Sequence, residues 1–429
     1  MQLLSSRRWR AAAASAAALA LVLTGCSSEE SFSYTPPAQV DGALPDETVA
    51  SMQAAVDNAL LASGATAAIV GVWVPWSGSW VTAAGTQDRD GGGKVSTDMS
   101  FRIADVTRLM TCDVLYALAD EGTVELDANV ADYVSGVADM REQGVTLLDL
   151  CNGTSGAGSS KSTTKTALIN TPERIWAPLE LAGYGLARPR VDPGTAFRDS
   201  DAGYLLLGLA LERATGMTAS ELIAEYVADP LDLAATSLPD PAPAAPGADP
   251  MKGHVLPAVE GGFTCAAPTD ISTLSSSSGF TDSGAVSTIE DLGRYIQAEA
   301  RQALRGDDPE PDRFGSPLPV SEKGPSWYQA TGGAYLVGSM VGQHGWVPGY
   351  ATSAYSDPAT GFTVAVVLND STAGSKFAQQ LSWELAAIAS KAQAASGQTA
   401  PEFGLPFTAE QYHQSITDGA ITCVEPPAE

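Results

Sequence analysis

Apolar residues recur at three- and four-residue spacing over residues 106–121, 204–215, 219–227 and 289–304, which predicts four helices in the middle of the chain. A fifth, over 376–391, closes the patterned region. Near both ends the period changes. Residues 65–74 (ATAAIVGVWV) and 80–85 read as the strands of a hairpin broken at Ser77-Gly78. Residues 332–337, 350–356 and 361–368 read as later strands, with Asp357-Pro358 marking a turn between two of them. Helices placed between an early strand pair and a late strand group predict an α/β (α+β) architecture. In it, one antiparallel sheet is built from both chain ends, flanked by helices, with a helical region inserted. The domain expected on this pattern covers 45–391, and no internal repeat interrupts it.

Outside that region the pattern serves other purposes. Arg7, Arg8 and Arg10 precede an apolar run over 11–23 that is too short and alanine-rich for a membrane span, so 1–25 reads as an export signal. It ends in Leu23-Thr24-Gly25-Cys26, which resembles the lipobox of bacterial lipoproteins. Cys26 is then the lipidated first residue, and the protein is expected on the outer face of the bacterial cytoplasmic membrane. The Ser6-Arg7-Arg8 sequence leaves the export route, general or twin-arginine, open. Residues 26–44 lack an apolar period and contain Pro36 and Pro37, so they read as a disordered tether. Residues 392–429 form a proline-punctuated C-terminal extension with one short helical stretch over 410–416. Loss of the three signal arginines takes the formal charge from −27 to −30, which makes nucleic acid and anionic lipid surfaces poor partners.

Four cysteines remain beside Cys26, an even number in an oxidising compartment. Three connectivities are possible. Cys112 with Cys151 and Cys265 with Cys423 is favoured, the first pair because it flanks the segment described next. No cofactor motif is present. His254, His344 and His413 lie far apart in sequence, and no Cys or His spacing suggests a metal.

Phe101-Arg102-Ile103-Ala104, then Asp105-Val106-Thr107-Arg108 opening a helix that ends Leu118-Ala119-Asp120-Glu121-Gly122, resembles the beta-lactamase and D-alanyl-D-alanine carboxypeptidase superfamily, especially its class C-like serine hydrolases. Further stretches resemble the same family in the same order. These are residues 146–150 leading to Thr154-Ser155-Gly156, residues 201–208, Asp229-Pro230-Leu231 through Thr236-Ser237, Val286-Ser287-Thr288 with Asp291-Leu292, and Pro348-Gly349-Tyr350 with residues 357–361. The resemblance implies the fold of that family and a cleft holding three catalytic clusters.

At each cluster the chain departs from the family pattern. Asp105 and Arg108 stand where a nucleophilic serine and a lysine base are implied. A guanidinium stays protonated and cannot act as a base, and attack by a carboxylate on an amide would give a mixed anhydride. Asp105 is better read as a cap on the helix N-terminus, paired with Arg108 three residues on. The implied Tyr-x-Asn is Asp199-Ser200-Asp201, which would set two carboxylates against Arg108. Ser200 is no substitute nucleophile, because the family has a serine at that middle position too, pointing elsewhere. The implied Lys/His-Thr/Ser-Gly strand triplet is Gln343-His344-Gly345. There the imidazole falls one residue late, so strand alternation turns it from the cleft into a packing or surface role unless a bulge restores it. Trp346 follows, where it could partly fill the groove.

No catalytic residue is therefore expected. The sequence is read as a lipid-anchored envelope protein of serine-hydrolase fold whose old cleft, lined by Asp105, Arg108, Asp199, Asp201, Gln343 and Trp346, holds a cell-wall peptide or an envelope protein. Two alternatives are a rewired hydrolase of beta-lactam, peptide or ester bonds, and a structural scaffold whose cleft is filled by its own side chains. A dry, self-paired site favours the scaffold; an open groove with an unpaired Arg108 favours an anionic ligand.

Overall fold

Strict alternation along the strands gives the sheet two buried faces. The computed structural model describes residues 34–306 and 309–424. Its large sheet contains β1 (Ala67–Val74), β2 (Gly78–Gly85), β3 (Leu318–Pro319), β4 (Tyr328–Thr331), β5 (Ala334–Val337), β6 (Met340–Val347), β7 (Tyr350–Ser356) and β8 (Thr363–Leu368). The strands pair antiparallel in the order β2-β1-β8-β7-β6-β5-β4-β3, so the early hairpin joins the late strands through β1 and β8. Val70 lies opposite Val366 across that junction.

Ala67 and Ile69 of β1, with Ala365 and Val367 of β8, face a core shared with the helices Thr107–Asp120, Asp201–Thr215 and Ile289–Ala300. Their neighbours Ala68, Val70, Val72, Val364 and Val366 face the opposite core, shared with the helices Asp46–Ser63 and Lys376–Ala389. Each fully buried valine or isoleucine here contributes about 1.5–3 kcal/mol by leaving water. Gly71 interrupts β1 because the Trp73 indole lies across it: a Cβ there would stand 2.2 Å from the ring.

Helix starts follow their capping residues. Thr146 and Asp149 form a reciprocal box at the helix Leu147–Asn152, and Thr218 with Glu221 does the same at Ala219–Ile223. Thr288 accepts the Asp291 N–H at the start of Ile289–Ala300. The helix expected over 219–227 instead passes into a π-helical turn, Ala224–Ala228, after one α-helical turn. The alanine-rich helix Asp46–Ser63 and the polar helix Lys161–Asn170 escaped the periodicity, since neither carries a clear apolar stripe.

The expected tether is corrected in its last part. Tyr34 is buried, its hydroxyl donates to Gln297 Oε1, and Arg294 donates to its carbonyl. Val40 N–H then bonds to Pro75, and Leu44 is buried under the sheet edge. Residues 34–44 thus pack along the body, because Tyr34 and Leu44 supply apolar anchors that a count of prolines and serines overlooks. The signal segment, Cys26 and the rest of the tether lie outside the described residues. Among the described residues no helix is long and apolar enough to cross a membrane. Cys112 pairs with Cys151 and Cys265 with Cys423. The second bridge ties down the C-terminal extension, whose helix Ala409–Asp418 packs on the helices Lys376–Ala389 and Asp46–Ser63.

Candidate functional site

Asp105 lies on a single 3-10 turn, Ala104–Val106, that leads into the helix Thr107–Asp120 beneath β6. Gly345 of β6 is the reason the strand can approach: a Cβ at that position would sit 2.1 Å from Asp105 Cγ. The expected cap is absent, since no side-chain cap bond forms at this helix start. Thr107 does not replace it: its hydroxyl accepts from Ala285 N–H and donates to the Ala104 carbonyl, tying the turn to the segment before Val286 rather than to the helix's own N–H groups. Asp105 turns inward, where both its oxygens accept from Lys161 Nζ at 2.6 Å.

Around that pair a closed charge network forms. Arg108 donates through Nε to Asp282 Oδ1 at 2.7 Å and through Nη1 to Asp199 Oδ1 at 2.6 Å. Its third nitrogen, Nη2, is 3.2 Å from Asp105 Oδ2 without hydrogen-bond alignment, so the expected Asp105–Arg108 pair exists but is the weakest contact of the three. The guanidinium also lies over the Tyr204 ring, 4.7 Å from its centroid. Lys161 Nζ reaches Asp282 at 3.4 Å as well. Arg108 is 2% exposed and Lys161 18%, whereas Asp199 stands at the rim with 54% of its side chain open to solvent.

Burial pushes the Asp105 carboxyl up to about 6 despite the pull of Arg108 and Lys161, helped by the neighbouring charge of Asp282. Burial likewise disfavours the Lys161 ammonium and the Arg108 guanidinium, but the facing carboxylates outweigh it and raise both. At the rim, partial desolvation of Asp199 is overcome by Arg108 and Lys161, which hold its carboxyl below the ordinary range. Three carboxylates face two cations, so one proton on Asp105 would bring the cluster to neutrality.

The other residues expected in the cleft divide. Asp201 does not face Arg108: its carboxylate accepts from the Ser160 N–H at 2.6 Å and from the Ser160 hydroxyl, at the start of the helix Lys161–Asn170. A buried carboxylate with two donors beside it has no need of the guanidinium. Ser200 donates to the Gly158 carbonyl and faces no base. Gln343 is occupied with backbone, donating to Gly333 O at 2.6 Å and accepting from His344 N–H. Trp346 lies over both Lys161 and Lys165, at 5.9 and 5.1 Å, closing the lysine side of the cleft.

His344 follows strand alternation. It stacks on Tyr335 at 4.6 Å and meets the Tyr355 hydroxyl at 2.7 Å, with no bulge in the β6–β7 pairing. Burial lowers its pKa to about 3, so it is a neutral packing group. Beside Lys161, a cavity of about 20 Å³ bounded by Ser160, Asp201, Asp282 and Trp346 has room for one water molecule.

Lys161 and Asp282 were missed from sequence. Lys161 follows the Thr154-Ser155-Gly156 segment inside a serine- and threonine-rich stretch with no period, and its only signal is that two lysines occur there in a strongly acidic chain.

A second cluster of titratable groups lies apart from this cleft. Asp88, His254 and Asp270 bring ligand atoms within 4.8 Å of one another. Lys252 Nζ already supplies the cation there, 2.9 and 3.0 Å from the two Asp88 oxygens and 3.7 Å from Asp270. Asn369 Oδ1 accepts the Thr66 and Ala67 N–H groups, so its Nδ2 donates to His254 Nδ1 and the ring proton sits on Nε2, the atom facing Asp88. Those donors fit an ammonium better than a metal ion.

The sheet built from both chain ends, the inserted helices and a cleft lying between β6 and the start of the helix Thr107–Asp120 define a protein on the serine-hydrolase plan of the penicillin-recognising enzymes. The beta-lactamase family model matches residues 55–387, and the chain belongs to that family. Among solved structures, the D-stereospecific amidohydrolase from a Streptomyces species is similar over 76% of this chain and 95% of its own, with a TM-score of 0.64 and 23% identity. A penicillin-binding protein from Bacillus halodurans is similar over 76% and 97%, at TM-score 0.60 and 17% identity. Of curated proteins, a probable fimbrial assembly protein FimD of Dichelobacter nodosus is 29% identical over 128 residues, 29% of this chain and 32% of that protein. The D-alanyl-D-alanine-carboxypeptidase/endopeptidase AmpH of Escherichia coli is 28% identical over 142 residues, 33% and 37% of the two chains. The chain thus spans about a third of the length of these curated relatives.

Proposed function

We propose that this protein is a non-catalytic, lipid-anchored member of its family that serves envelope assembly as a folded scaffold, its former cleft sealed by its own charges. The observation that carries this reading is the Lys161 ammonium held by Asp105 above an Arg108 already engaged by Asp282 and Asp199. Acyl transfer needs a nucleophile that can lose a proton to a nearby base, and space for a tetrahedral carbon between them. Here the position opposite β6 carries a carboxylate, its neighbour is a permanent cation, and the Lys161 ammonium lies against both carboxylate oxygens, leaving no free base beside them. The likeness to proteins named for fimbrial assembly supports an assembly role on the same fold.

A second reading keeps the cleft as a binding site for a cell-wall peptide. It is favoured by Asp199, which offers a half-exposed carboxylate at the rim to an amino group.

Fluorescent penicillin incubated with the full chain tests the reading. No covalent adduct is expected, either with the natural sequence or with the Asp105→Ser/Arg108→Lys double variant, because Asp199, Asp201 and Gln343 still offer no proton relay. A stable adduct with the natural sequence would sink it.

A further inference from the structure

We infer a second, unassigned binding site for a small amine-bearing ligand, in the groove where the C-terminal helix Ala409–Asp418 meets the helices Asp46–Ser63 and Lys376–Ala389. This open groove has a volume of about 690 Å³ and lies on the side of the sheet whose core contains those helices. Glu47, Glu384 and Glu410 line it, with Lys391, His413 and Gln414 beside them.

An acidic lining alone would mean little in a chain this acidic. Glu384 is what distinguishes the groove. Its carboxylate is 2% exposed, one oxygen accepts from His413 Nδ1 at 2.8 Å, and the other has no partner. Leaving a buried carboxylate oxygen unpaired costs at least as much as an unmade hydrogen bond to a charged group, so the position is stable only at a penalty that a ligand can remove. His413, half exposed, lines the same groove and is the group that holds this carboxylate. A primary ammonium entering the groove would displace the imidazole, donate to both Glu384 oxygens, and lie in the field of Glu410 and Glu47. The groove's size suits a ligand as large as a dibasic amino acid, and the oxygens of Gln414 and Ser51, whose donors are already bonded to Asp418 and the Glu47 carbonyl, line it as acceptors.

The site does not depend on whether the old cleft is catalytic. Calorimetric titration of the full chain with L-lysine amide tests it. Saturable one-to-one binding is expected, with Kd of about 1 mM or tighter. Glu384→Gln should weaken it at least roughly tenfold, as truncation of a buried charge partner does. His413→Ala frees the carboxylate and should tighten binding. It keeps the inference testable if Glu384→Gln fails to fold. An exposed control, Glu402→Gln, should leave the affinity unchanged. Absence of saturation up to about 10 mM, or equal affinity in Glu384→Gln and the natural chain, would overturn the proposal by reducing the effect to general attraction by a negative surface.

Discussion

Lys161→Met removes one cation from a cluster of three carboxylates and two cations while keeping most of the side chain's volume. Breaking a buried ion pair by deleting one partner typically costs about 3–5 kcal/mol. The lower end applies here, because Lys161 is 18% exposed and Arg108 still faces the carboxylates. The cost should also depend on pH, since the variant can relieve itself by protonating Asp105. A carboxyl whose pKa is raised on folding binds protons more tightly in the native state. Its burial is therefore least costly below about pH 4, and stability falls as pH rises through the folded value. In the natural protein that window runs from the ordinary carboxylate range up to about 6. Without Lys161 the Asp105 pKa rises further and the window extends into neutral pH.

Urea denaturation followed by circular dichroism at pH 5 and pH 8 measures the difference. The variant should lose about 1 kcal/mol at pH 5, where Asp105 is largely protonated in both proteins, and about 3 kcal/mol at pH 8. The slope between them cannot exceed about 1.4 kcal/mol per pH unit for one proton. A loss below about 0.5 kcal/mol at pH 8, or an equal loss at both pH values, would refute the claim that Lys161 neutralises a buried Asp105.

Gly345→Ala should destabilise by about 1–3 kcal/mol or more, because its methyl group would meet Asp105 Cγ at 2.1 Å and press the strand away from the turn; thermal unfolding reports it, and an unchanged melting temperature would show that the strand can yield. Replacing Cys265 and Cys423 together by serine opens a loop of 158 residues. The chain-entropy account puts the loss at about 5 kcal/mol, and denaturant unfolding under non-reducing conditions should show it together with faster proteolysis of the C-terminal helix.

Much of the fold could be read in the sequence because its elements are chemically uniform. Residues such as Val70, Val72, Val364 and Val366 alternate, and the turns that bound them carry glycine or Asp-Pro. Helices that pack by small residues were harder to see: Asp46–Ser63 buries five alanine and apolar positions besides Ser63 without a strong stripe, and Lys161–Asn170 buries only Thr164 and Leu168. The site divided along the same line. Asp105, Arg108 and Asp199 meet as the motif order implied, since local sequence places each at the start of a helix or just before one. Asp201 went elsewhere because Ser160, 41 residues earlier, offers two donors that no motif announces. Asp282 and Lys161 come from segments with no periodic signal, and only tertiary contact brings them to Arg108. Charge balance was the missing criterion: two or more buried carboxylates beside one arginine call for a further cation, and a search among the few lysines would have reached Lys161.

The burial of Tyr34 against Gln297 and Arg294 bears on how far the body could stand from the anchor proposed at Cys26. With the lipid on Cys26, as proposed, only seven residues would lie between the acylated position and the first packed side chain, and eight fully extended steps span about 29 Å at most. Such a leash would be shorter than a body of this size is wide, about 50 Å. The face around Tyr34 would therefore remain turned towards the headgroups, and the opposite pole of the molecule would be the one offered to the cell wall.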